Sequence, residues 1–125
     1  MGYRSDVSIV FYTRKPDEVP FAAIKFWFDE NYPRKEAVEE WGADIETGDT
    51  WVLVTYEAVK WYSDYSHVQA VKSSFDSFDA CFEATDHDRT AWEIVEVGEE
   101  VDDTKHTNSE WADYRLWVQR TITFN

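Results

Sequence analysis

Apolar positions along the chain recur with two periods, and the change from one to the other marks out its elements. In residues 6–13, Val7, Ile9 and Phe11 fall on one face while Val10 and Tyr12 fall on the other. Apolar side chains on both faces predict a central strand. Arg14-Lys15-Pro16-Asp17 breaks it. Phe21, Ile24, Lys25 and Phe28 then follow helical spacing, which predicts a helix from Glu18 to Glu30 with Asp17 as N-cap and Pro20 in its first turn. Pro33 opens a second, short helix whose inward residues would be Val38 and Trp41, closed by Gly42.

Thr47-Gly48-Asp49 reads as a turn, and Thr50 to Tyr56 as a strand. Ser66 with Gln69 three residues on has the form of a capping box, ahead of a stripe of Val68, Val71, Phe75 and Phe78. Cys81 to Thr85 reads as a short strand, Asp86 to Arg89 as a turn and Ala91 to Val97 as a strand. Gly98 to Ser109 reads as an exposed polar loop. Trp111 to Phe124 reads as one long strand, with Leu116, Val118, Ile122 and Phe124 on one face and Arg120 interrupting it. The order of elements predicts a single α+β domain over residues 1–125: a mostly antiparallel sheet of about five strands, with two or three helices packed on one face.

The charge changes the picture. Residues 76–113 hold 13 carboxylates against two cations, Arg89 and Lys105, so this stretch carries −11 of the chain's −14. It is not an acidic tail, because Phe75, Phe78, Phe82, Trp92, Ile94, Val95, Val97 and Trp111 are threaded through it. With 18% aromatic residues and only four Gly and three Pro, the chain has the material for a stiff core. A net charge of −14 repels nucleic acid and anionic membranes and favours basic protein partners. No apolar run approaches the ~20 residues of a membrane span. The single Cys81 allows no intrachain disulfide, which fits a reducing cytoplasm, and beside Phe82 it reads as a buried structural residue.

Candidate chemistry is sparse. Asp86-His87-Asp88 clusters two carboxylates with an imidazole, but residues at i, i+1 and i+2 do not converge on one ion, and no second His or Cys stands at ligand spacing. Glu99-Glu100 and Asp102-Asp103 lack the alternating register of a calcium loop. Phosphate-binding glycine motifs and nucleophile elbows are missing, and no carboxylate pair stands out. No catalytic residue, metal or cofactor is assigned, and the chain is not read as an enzyme. Trp27, Trp41, Trp61, Tyr62, Tyr65 and Trp111 could stack bases, but the scattered Lys and Arg make no basic groove, so packing is the better use.

The opening Gly2-Tyr3-Arg4-Ser5-Asp6-Val7, then Lys60-Trp61-Tyr62 followed by His67-Val68-Gln69-Ala70, then Val97-Gly98-Glu99-Glu100 with Asp102-Asp103 behind it, resemble small acidic proteins encoded by tailed phages and prophages. That resemblance implies the host cytoplasm and raises one mechanism: an acidic protein that mimics DNA in charge and inhibits or modulates a basic, nucleic-acid-binding host protein. The residues expected to form the partner-binding surface are Glu83, Asp86, Asp88, Glu93, Glu96, Glu99, Glu100, Asp102, Asp103, Glu110 and Asp113. Two other readings stand beside it. One is an accessory protein acting through aromatic self-association, as a homo-oligomer or in assembly. The other is a small enzyme or ligand-binding domain.

Overall fold

A computed structural model of the chain describes residues 4–84, 86–98, 104–118 and 122–124. The elements run β1 (Ser5–Thr13), α1 (Phe21–Asn31), α2 (Arg34–Glu39), β2 (Asp44–Thr47), β3 (Trp51–Val59), α3 (Ser66–Phe82), β4 (Thr90–Val97), β5 (Thr104–Asn108), β6 (Leu116–Val118) and β7 (Ile122–Phe124). Five strands form one antiparallel sheet in the order β2-β3-β1-β4-β5, and β6-β7 form a separate two-stranded hairpin. This is the expected α+β architecture. β1 sits at its centre because both of its faces are apolar.

The pleat divides the core in two. On one face Val7, Ile9 and Phe11 of β1, Val52, Val54 and Tyr56 of β3, and Trp92 and Ile94 of β4 meet all three helices. Phe11 is the hub: its ring lies 4.9–6.0 Å from those of Trp27, Phe28, Tyr32, Phe75 and Phe78. On the other face Val10, Tyr12, Leu53, Ala91 and Val95 are covered by the C-terminal segment, through Ala112, Leu116, Ile122 and Phe124. So the helices do pack on one face, and the opposite face is not left to solvent.

Several local expectations are corrected. α1 starts at Phe21, not Glu18, and Asp17 caps nothing; Pro20 is the N-cap, because proline disfavours helical backbone at the residue before it. In α2 the buried residue is Ala37; Val38 is exposed and Trp41 half-buried. Gly42 does adopt the left-handed backbone (φ 66°) expected of a helix-ending glycine. The Ser66–Gln69 capping box does not form, since Ser66 is already helical and Tyr65 is the N-cap. α3 buries Val68, Val71, Phe75 and Phe78 as expected, but continues through Cys81, which is exposed. Over residues 81–84 the expected strand is therefore helix and turn, with Glu83 in left-handed backbone (φ 52°) as the C-cap; Thr85 lies outside the described residues.

Both sheet edges lie where no strand was expected. β2 falls between the second helix and the Gly48 turn, and β5 inside the polar loop. An edge strand needs only a backbone partner on one side, so its sequence can stay polar. The long strand expected over residues 111–124 is broken: Ala112–Arg115 are not strand, and β6 and β7 fold back on each other in the register Leu116↔Phe124 and Val118↔Ile122. Leu116, Ile122 and Phe124 still point to one core, so the apolar parity holds although the strand does not. Arg120 lies outside the described residues.

Because Phe11 touches five rings at once, Phe11→Ala should lower stability by about 3–5 kcal/mol. The urea midpoint of unfolding measures this, and a loss below about 1 kcal/mol would show that the ring cluster does not hold the helices to the sheet.

Candidate functional site

The expected acidic surface separates into residues with different fates. Glu93 is not on the surface at all: it is fully buried on the face covered by the C-terminal segment. Its carboxylate accepts from the Tyr12 hydroxyl (2.6 Å) and the Arg115 backbone N–H (2.9 Å) at Oε2, and from the Leu116 N–H (3.0 Å) at Oε1. His106 Nε2 stands 3.6 Å from Oε1. The Tyr12 hydroxyl in turn accepts the Asp113 N–H (2.6 Å), and the Arg115 guanidinium lies 4.3 Å over the Tyr12 ring. Glu93 and Tyr12 thus receive three backbone groups of the segment that covers the sheet. A buried acid is tolerable only when hydrogen-bonded in this way. Alternation places Glu93 on the apolar face beside Val95, but it cannot reveal what would satisfy it.

Others are neutralised from within. Glu96 receives Lys72 Nζ at 2.9 Å. Asp88 lies 2.8 Å from Lys15 Nζ and 3.6 Å from Arg14 Nη1, and the Lys15 ammonium holds its carboxyl below the usual range. Asp113 takes Arg14 Nε at 3.0 Å. Glu83 stands 3.7 Å from Arg89 and 3.6 Å from His87. Of the expected set only Asp86 and Glu110 are exposed without a cation in ion-pair reach among the described residues. Glu99, Glu100, Asp102 and Asp103 lie outside those residues.

The unneutralised charge lies elsewhere. The −3 left outside residues 76–113 is the balance of −7 in residues 36–59 and +4 in the remainder. Residues 36–59 hold seven carboxylates and no Lys, Arg or His. Six of them, Glu39, Glu40, Asp44, Glu46, Asp49 and Glu57, are exposed at the end of α2, on β2 and the turn after it, and on β3. None has a cation within ion-pair distance among the described residues. A window of about 24 residues read for charge would have found this second acidic block in the sequence.

The seventh, Glu36, is half-buried and forms the outer end of a relay that runs into the core. Its Oε1 lies 2.5 Å from His67 Nδ1; His67 Nε2 lies 2.9 Å from the Tyr56 hydroxyl; Tyr56 lies 2.7 Å from the Tyr32 hydroxyl. A carboxylate only accepts, so Nδ1 carries a hydrogen. With a neutral ring, Nε2 accepts from Tyr56, and Tyr56 accepts from Tyr32. The relay ties α2, α3, β3 and the end of α1 together. Trp41 stacks on the His67 ring (4.8 Å, 24°) and Trp61 closes on Tyr56 (4.8 Å). His67 is 2% exposed, so its imidazole is sealed from any external substrate. Of the aromatics weighed for base stacking, Trp27 and Trp61 are buried, Trp41 and Tyr62 half-buried, and Tyr65 and Trp111 exposed.

No family model, curated protein or solved structure matches this chain.

The buried groups predict two outcomes. Glu93→Gln puts an amide N–H where donors already point, so at least one buried donor loses its acceptor; stability should fall by about 2–3 kcal/mol in urea unfolding. A loss under about 0.5 kcal/mol would contradict the bonding described. Burial raises Tyr12, Tyr32 and Tyr56 above the ordinary tyrosine pKa. Each then holds its proton in the folded state where the unfolded chain loses it. Stability should be full below about pH 10 and fall above it, by roughly 1.4 kcal/mol per pH unit for each tyrosine. Tyrosinate absorbance from these three residues rising ahead of unfolding would contradict this.

Proposed function

We propose that this chain is an acidic protein-binding module that engages a basic, nucleic-acid-binding protein and occupies the surface where that protein would hold nucleic acid. One observation carries the reading: six exposed carboxylates at the end of α2, on β2 and its turn, and on β3 have no cation in ion-pair reach among the described residues, while most described carboxylates of the expected set are buried or paired. Charge left uncompensated on ordered backbone is charge available to a partner. Asp44 and Glu46 share a strand face, about 7 Å apart. That is about twice the axial phosphate spacing along one DNA strand. The phage-type resemblance supports inhibition of a host protein as the outcome. The aromatic-assembly alternative has less to work with, because most rings are spent in the core.

The proposed binding surface centres on Glu39, Glu40, Asp44, Glu46 and Asp49, extended by Asp86 and Glu110 only if the partner is large enough to reach them. The test is capture of basic proteins from nuclease-treated host lysate, followed by titration of purified complexes. Affinity should fall at least tenfold between 50 and 300 mM salt, as screening shortens from roughly 14 to 6 Å. Reversing Glu39, Glu40, Asp44 and Glu46 to Lys should abolish it, and duplex DNA should compete. Binding indifferent to salt and to the reversal would overturn the reading.

A further inference from the structure

The open edge of β2 deepens the acidic-module reading and rests on it for the class of partner. β2 is an outer strand of the sheet, paired only with β3 among the described residues. Its register runs Asp44↔Thr55, Ile45↔Val54, Glu46↔Leu53 and Thr47↔Val52, and the next pair is closed by the Gly48 N–H on the Trp51 carbonyl (2.9 Å). In an antiparallel ladder, hydrogen-bonded and non-bonded pairs alternate. Counting from Gly48, Glu46 and Asp44 spend their backbone groups on β3. Ile45 and Thr47 therefore turn their N–H and C=O groups outward. The residue before the strand is not available in the same way, since the Ala43 N–H donates to the Ala37 carbonyl (2.9 Å).

The side chains bordering this open ladder differ by face. Asp44 and Glu46 are exposed on the face of Leu53 and Thr55. Ile45 lies on the opposite face, half-buried against the main core. A strand laid along β2 would meet a carboxylate at every second position on one side and an apolar margin on the other. The sheet's other edge offers no such match: β5 exposes Lys105, which repels a cationic chain, and carries no carboxylate. The turn after β2 is also fixed, because the Trp51 indole lies so close over Gly48 that no Cβ would fit.

We propose that β2 receives an extended basic peptide by antiparallel strand addition. Lys or Arg at alternate positions would face Asp44 and Glu46, and β-branched residues between them would lie beside Ile45. Main-chain bonds to Ile45 and Thr47 supply the docking, and the alternate cations supply the choice of partner. Such segments occur as the flexible basic tails of proteins that hold nucleic acid, which is the partner class proposed above.

The probe is a labelled eight-residue peptide alternating Lys or Arg with Val, titrated against the full chain by fluorescence anisotropy. Two further versions carry backbone N-methyl groups, either on all the valines or on all the basic residues. In the proposed pairing the valine N–H groups point at β2 and the basic residues' N–H groups point away. Methylating the valines should weaken binding at least tenfold, and methylating the basic residues less than threefold. Thr47→Pro removes one outward N–H and no rung to β3, and should weaken the unmethylated peptide similarly with the melting temperature nearly kept. Equal binding of both methylated peptides would overturn strand addition while leaving a charge-based module standing. If even the unmethylated peptide shows no salt-sensitive binding, the module reading falls with it.

Discussion

One buried carboxylate decides how the second half of this chain is used. β1 presents apolar side chains to both sides, so a sheet centred on it must be covered twice. Helices cover the first face by ordinary apolar packing. Among the described residues, the second face is covered by a short C-terminal segment. Glu93 accepts backbone N–H groups from Arg115 and Leu116 directly, while Tyr12, bonded to Glu93, accepts the one from Asp113. These bonds make the segment a fitted layer, and they set the point from which the β6–β7 hairpin folds over Leu53 and Val10. Removing any member leaves a buried polar group unpaired, which costs more than the bond itself is worth.

The same arrangement governs where the molecule is charged. Acidic residues here have three roles. Glu93 is buried and organises backbone, and the half-buried Glu36 anchors a tyrosine–histidine relay. Glu96, Asp88 and Asp113 pair with Lys72, Lys15 and Arg14, and so join α3 and the end of β1 to their neighbours. The remainder faces solvent as net charge, and among the described residues a large block of it borders β2. Surface ion pairs of this kind add little stability singly. Their consequence is local: Glu96, Asp88 and Asp113 are paired within the fold.

Much of the fold was legible because burial on both faces writes itself plainly into sequence. β1, β3 and β4, which form the middle of the sheet, have near-continuous apolar character, and α3 has an unbroken stripe. The two edges were not legible, since Asp44–Thr47 and Thr104–Asn108 contribute backbone to the sheet and polar side chains to water. The number of strands came out close for the wrong reason: residues 81–85 and 111–124 stood in for β2 and β5. The acidic site was located by counting charge, and counting does not distinguish a carboxylate that is paired across 20 or more residues from one that is free. Lys72–Glu96 and Arg14–Asp113 are contacts of that kind. The Glu36–His67–Tyr56–Tyr32 relay was invisible for the same reason, as its members come from four separate parts of the chain.

Amide hydrogen exchange, read residue by residue under native conditions, tests the central claim most directly. If the Glu93 cluster fastens the C-terminal segment to the sheet, the Asp113, Arg115 and Leu116 amides will exchange nearly as slowly as those of β1 and β4, although Asp113 and Arg115 lie outside any strand. Exchange at the rate of an open loop, with β1 and β4 still protected, would show that the second face is not closed in this way.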